Sequence, residues 1–259
     1  MNLTGYIRQR LKDRRLLLMT HLIVGYPSLD ANRRMLEIMG EVGVDLVELQ
    51  MPFSEPIADG ALFARACQES LEAHTTLAHY FDLLSESAAR HDFPHLMMGY
   101  YNVVLQCGEA PFSERLAAAG AAGLIIPDLP IEEYAGLHAA CRQHGLSGIQ
   151  LMAPTCSPQR LQTIGSHAEG FVYAVARKGV TGRESELGQG VLDFLSTCRE
   201  YTDLPLGVGF GLRRAEHVRQ LHGYVEIGIV GSALLIAWES GGEDAYRELL
   251  ESLADARYS

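Results

Sequence analysis

The segment Val47-Glu48-Leu49-Gln50-Met51-Pro52-Phe53-Ser54-Glu55-Pro56-Ile57-Ala58-Asp59-Gly60 sets one carboxylate inside an apolar run and a second in the loop that follows. Two acids near one pocket suggest acid/base chemistry. Glu48 lies near the end of the run 44–49, where a strand side chain turned inward loses its water. Desolvation of this kind raises a carboxyl pKa towards the range useful for proton transfer. Asp59, beside Gly60 in a loop, would instead stay ionised and hold a substrate donor. The structural alternative is an ordinary strand-end charge at Glu48 and a helix N-cap at Asp59, ahead of Ala61-Leu62-Phe63. Because perturbed acids also occur in structural ion pairs, this segment alone leaves both open.

A second chemistry is written in three glycine-containing turns: Gly179-Val180-Thr181-Gly182, Gly209-Phe210-Gly211 and Gly231-Ser232-Ala233. Glycine lets backbone N–H groups approach an anion closely. The third turn opens a short apolar helix at 233–238, so the N–H groups of Gly231 and Ser232 are expected at its positive end. Any one of these glycines is explained by tight turn geometry. Three after consecutive strands point to a phosphate cradle. No G-x-x-x-x-G-K-[ST] loop is present, which disfavours nucleoside triphosphate chemistry.

Apolar runs rich in β-branched residues alternate with helical periodicity along the chain, as parallel strands with helical crossovers require. Strands are expected at 16–24, 44–49, 96–100, 123–126, 148–152, 170–175, 206–208 and 225–230. A leading helix spans 3–13, and further helices fall at 30–42, 77–90, 111–119, 131–144, 158–167, 191–201, 215–222 and 243–256. Eight strand and helix pairs predict a single (β/α)8 barrel domain over residues 1–259, with an extra N-terminal helix. The length of 259 residues suits this fold. A doubly wound open sheet shares the local alternation, but no G-x-G-x-x-G follows the first strand. In a barrel the chemistry belongs to the C-terminal ends of the strands, where Glu48, Tyr100, Asp128, Tyr173, Gly209 and Gly231 fall.

A formal charge of −11 and a pI near 5.3 argue against a nucleic-acid partner. A small phosphorylated substrate remains compatible, because backbone N–H groups bind phosphate without a basic surface. The five cysteines are scattered and show no C-x-x-C pair, the pattern of reduced thiols. The polar N-terminus lacks a signal-peptide h-region, and no run approaches 18 apolar residues, so a soluble cytoplasmic protein is expected. The ten histidines include His74, His79, His91 and His95, expected mostly on solvated helices, and none forms an H-E-x-x-H pair. A metal-dependent sugar-phosphate epimerase would need ligands at several strand ends, and only His21 is so placed; no metal site is expected.

The ordered set of the 48–60 motif, Tyr100-Tyr101-Asn102, Asp128-Leu129-Pro130-x-Glu132-Glu133 and the three glycine turns resembles the α subunit of tryptophan synthase over nearly the whole chain. The resemblance implies retro-aldol cleavage of indole-3-glycerol phosphate to indole and glyceraldehyde 3-phosphate, in the terminal steps of tryptophan biosynthesis. Glu48 then matches the general acid/base, Asp59 the acid that hydrogen-bonds the indole N–H, and Tyr173 the tyrosine beside the reacting carbon. Gly182, Gly211, Gly231 and Ser232 would bind the phosphate, and Tyr100, Thr181 and Phe210 would line the substrate pocket. The resemblance also implies an allosteric α2β2 assembly. In it indole passes through a tunnel to a β subunit carrying pyridoxal phosphate, while this chain holds no cofactor. Loops 52–60 and 177–188 match those that close over substrate and signal to β.

Several positions depart from the family pattern. Gln50 stands where glycine is common, Glu55 for aspartate, Ala61 for proline and Ala176 for a serine-like residue. His21 and Ile23 replace an aromatic or apolar residue and a threonine. Two further functions compete with the lyase: an α-like partner, weakly active or non-catalytic, that mainly activates β, and another barrel enzyme for phosphorylated small molecules. Retention of both Glu48 and Asp59 favours the lyase.

Overall fold

A computed structural model describes residues 2–175, 188–209 and 211–258. Eight parallel strands close into a barrel in sequence order: β1 (Leu17–Ile23), β2 (Leu46–Gln50), β3 (His95–Met98), β4 (Ala121–Ile125), β5 (Ser147–Met152), β6 (Val172–Ala174), β7 (Leu206–Val208) and β8 (Ile227–Val230). This is the (β/α)8 barrel that the alternation predicts. Among the described residues, no helix is long and apolar enough to cross a membrane.

Period-two alternation sorts each strand into two faces. Leu17 and Met19 of β1, Leu46 of β2, Leu96 and Met98 of β3, and Ile227 and Ile229 of β8 point inward and pack together. Leu16, Leu18, Leu22, Val47 and Leu49 point outward against the helices. Helix α1 (Leu3–Arg10) places Leu3 and Ile7 in the inner cluster, where they close the bottom of the barrel. Each of these side chains contributes about 1.5–3 kcal/mol by leaving water. The inner face is therefore apolar at the bottom and middle, and the next inward positions up β1 and β2 are His21, Glu48 and Gln50.

The bottom is also tied electrostatically. Asp45, fully buried, accepts from the Leu18 N–H at 2.9 Å and from Arg257 at 2.6 Å. Arg10 and Arg14 approach its other oxygen at 3.2 and 3.5 Å. One carboxylate thus joins α1, the start of β1 and the C-terminal residues.

The helices depart from strict alternation. One helix, α2 (Leu29–Val42), joins β1 to β2, but between β2 and β3 lie both α3 (Ala61–Glu72) and α4 (Leu77–Arg90), and between β3 and β4 both α5 (Tyr101–Cys107) and α6 (Glu109–Ala118). Helices α3 and α5 are additions to the sequence expectation: α3 begins directly after the 48–60 motif, and α5 begins within Tyr100-Tyr101-Asn102. The following crossovers are α7 (Ala135–Gln143), α8 (Pro158–His167), α9 (Gln189–Arg199) and α10 (Ala215–Gln220). The chain ends in α11 (Ser232–Asp255), broken at Gly242, where φ is 63° and ψ −146°, so its two halves correspond to the short and long helices expected there. His95 is not solvated: it is buried in β3, 2.7 Å from the Ser87 hydroxyl, and burial lowers its pKa to about 4.

Asp45→Asn should lower the unfolding free energy by about 3 kcal/mol, because it leaves the buried Arg257 guanidinium without its counter-charge. Urea unfolding monitored by circular dichroism measures this, and a loss below about 1 kcal/mol would place the cluster with ordinary surface pairs.

Candidate active site

The C-terminal ends of the strands surround a cavity of about 480 Å³. Glu48, Asp59, Tyr173, Gly211, Gly231 and Ser232 all line it, so six of the residues singled out in the sequence share one space. Thr181, Gly182 and Phe210 lie outside the described residues. Tyr100 is not among the lining residues: it is buried behind the 52–60 loop, stacked on Phe53 at 5.1 Å, with its hydroxyl on Asp59.

Register places the acids. Parallel pairing of β1 with β2 sets His21 beside Glu48 and Ile23 beside Gln50. His21, Glu48 and Gln50 therefore share the inner face. Glu48 is buried, but its surroundings are not purely apolar, since its Oε2 lies 3.2 Å from His21 Nδ1. The His21 ring stacks on Phe63 of α3 at 4.7 Å and 21°.

Asp59 is held from two sides. Gln50 Nε2 donates to its Oδ2 at 2.6 Å and the Tyr100 hydroxyl donates to the same oxygen at 3.0 Å. The Tyr100 hydroxyl in turn accepts from the Ala58 N–H at 3.2 Å. Asp59 does not cap α3, whose N-cap is Gly60 without a side-chain cap bond. Burial raises the Asp59 pKa above its ordinary value, opposed by the His21 charge and by the bonds from Gln50 and Tyr100. Tyr173 crosses the cavity from β6, and burial beside two acids raises its pKa well above the usual phenol value. A Cβ on Gly209 would stand 2.6 Å from the Tyr173 hydroxyl, so only glycine leaves that hydroxyl its place.

Also lining the cavity, Gly211 has φ +92°, a conformation that an L side chain adopts only at a cost of about 1–3 kcal/mol. Gly231 leads into Ser232 at the start of α11, and no side chain caps this end. A phosphate against these backbone N–H groups would meet the positive end of a helix.

The sequence profile of a family described as tryptophan synthase alpha chain matches residues 7–257. The chain belongs to the tryptophan synthase alpha chain family. It is 42% identical to the tryptophan synthase alpha chain of Desulfotalea psychrophila, over 98% of this chain and 100% of that one. It is 41% identical to that of Syntrophotalea carbinolica, over 95% and 98%. Among solved structures, a chain of Mycobacterium tuberculosis tryptophan synthase superposes with a TM-score of 0.92 at 32% identity, covering 99% of this chain and 98% of that one.

Within this alpha chain, His21 and Gln50 stand in the sequence only as departures from the family pattern, without roles. Their connection to Glu48 and Asp59 needs the strand pairing, and the detectable signal was the i, i+2 spacing of Glu48 and Gln50 on one strand face. Gln50→Ala should release one of the two anchors on Asp59. A hydrogen bond to a charged group is worth about 1.5 kcal/mol or more, so amide exchange at Ala58 and Asp59 should speed up about tenfold. Hydrogen-exchange mass spectrometry checks this; unchanged protection would leave Tyr100 as the sole effective anchor.

Proposed function

We infer that the lyase reaction of this family, retro-aldol cleavage of indole-3-glycerol phosphate to indole and glyceraldehyde 3-phosphate, is carried here by Glu48, Asp59 and Tyr173. The observation that supports this most is the meeting of two acids on one cavity that is also lined by Gly211, Gly231 and Ser232. The phosphate would rest on these turns, and the indole ring would lie against the apolar wall that includes Met98 and Leu151, with its N–H on Asp59.

In this arrangement Glu48 gives a proton to indole C3, and the ring nitrogen takes up positive charge, which the Asp59 carboxylate stabilises. Glu48, now ionised, removes the proton of the glycerol hydroxyl. The O–H electron pair becomes the new C=O bond, the C–C bond breaks, and its pair restores the neutral ring. One proton leaves the hydroxyl and one arrives at C3, so the protein ends unchanged. Tyr173 packs beside the reacting carbon and keeps water from it.

The α chain of this family carries no cofactor; pyridoxal phosphate belongs to the β subunit with which it forms an α2β2 assembly. Loop 52–60 is a natural face for that partner, since Ile57 is 78% exposed although it borders the cavity. A partner resting on this loop would raise the fraction of molecules with Asp59 in place.

Release of indole from indole-3-glycerol phosphate by the pure chain, with and without β subunit, tests the assignment. Glu48→Gln should lower turnover by about 10²–10⁴ while preserving the fold, the usual value of general acid/base catalysis. Activity within about twofold of wild type would remove Glu48 from the chemistry. Asp59→Asn should lower kcat by more than it raises KM, since the amide accepts the N–H without balancing the cationic ring. Because burial raises the Asp59 pKa, its anion is lost as pH falls at a value above about 3.9, the figure for an exposed aspartate. The acid limb of kcat/KM should lie correspondingly higher, and a limb at the exposed value would place Asp59 in water.

A further inference from the structure

We propose that His21 is a positioning residue for Glu48, and that its protonated imidazole fixes the carboxylate in the cavity and makes turnover depend on the proton the two groups share. The proposal rests on Glu48 as the acid/base group and adds the residue that controls it.

The geometry is specific on both sides of the ring. His21 Nδ1 lies 3.2 Å from Glu48 Oε2, and both side chains are buried. The two groups meet at ion-pair distance, and among the described residues neither Glu48 Oε2 nor His21 Nε2 has a well-formed hydrogen bond. A modest rotation of either group would close the bond, and each atom keeps capacity towards a bound substrate. The ring is held independently of Glu48. Phe63 stacks on one face, and the backbone at Gly231 packs so closely that a Cβ there would stand 3.3 Å from His21 Cβ and 2.8 Å from Phe63. An aromatic ring clamped in this way presents its nitrogen to Glu48 at fixed distance.

The charges around the ring act in one direction. Glu48 and Gln50 face it from β2 and Asp59 from the following loop, while α3 contributes Phe63 and the end of β8 contributes Gly231. Tyr173 shares the cavity from β6. Among the described residues that line the cavity, His21 is the group that can carry positive charge, and it faces two acids. Burial pushes the ring towards its neutral form, but Glu48, Asp59 and Gln50 together outweigh it, and the His21 pKa is raised above 6.5. A raised imidazole pKa means that the proton is held below that pKa and lost as pH rises through it. The proton that Glu48 gives to C3 is drawn from its pair with His21, and the proton taken from the hydroxyl returns to it.

Two measurements test this. In the full chain with labelled histidine, NMR should show His21 titrating above 6.5, and Glu48→Gln should bring the midpoint below the wild-type value because the counter-charge is gone. In indole release, kcat of the wild type should fall as pH rises through that midpoint. His21→Phe keeps the ring and its stack on Phe63 but carries no proton, so this basic limb should vanish, with KM changed by less than about twofold. His21→Gln, which keeps a donor near Glu48 but no titrating charge, should also lack the limb, and serves if the phenylalanine variant folds poorly. A basic limb unchanged in these variants, or a His21 midpoint insensitive to Glu48→Gln, overturns the proposal. An active Glu48→Gln variant would instead overturn the acid/base role of Glu48, an outcome that the two His21 readouts keep separate.

Discussion

The parallel register of β1 against β2 is the constraint on which the site depends. It pairs Met19 with Leu46 in the core and His21 with Glu48 one step above. A slip of β2 by one residue would turn Glu48 and Gln50 towards the helices and bring Val47 and Leu49 into the cavity. The apolar pattern makes that slip costly, since Leu46 would leave the inner cluster. Asp45 reinforces the same alignment by bonding the Leu18 N–H across the two strands. Stability at the bottom of the barrel and chemistry at its top are consequences of one pairing.

The polar groups buried at the upper end lie against one another. His21 meets Glu48, and Gln50 and Tyr100 hold Asp59. The two acids thus share the cavity with the glycine-containing turns at Gly211 and Gly231. A phosphate on those turns would be met by backbone dipoles. No cationic side chain is needed for this, which suits a chain of net charge −11.

The barrel was legible in the sequence because each strand is short, apolar and followed by a turn residue, a pattern that survives without tertiary information. Glu48 was legible because a carboxylate inside an apolar run is unusual, and Asp59 because a motif surrounds it. Helices α3 and α5 were not, since α3 follows the proline- and glycine-containing 52–60 segment and α5 starts within a motif that reads as a strand end. Tyr100 looked like a pocket residue because it ends a strand, yet it is the N-cap residue of α5 and its hydroxyl turns to Asp59. His21 and Gln50 gain meaning only through cross-strand register and the fold of the 52–60 loop, neither of which is written in local spacing.

A crystal structure of this chain with a non-cleavable analogue of indole-3-glycerol phosphate tests the account most directly. The ring N–H is predicted to lie on Asp59, C3 to face Glu48, and the phosphate to rest on the N–H groups of Gly211, Gly231 and Ser232. A ring bound in the reverse sense, with its nitrogen away from Asp59, or a phosphate away from those N–H groups would contradict it.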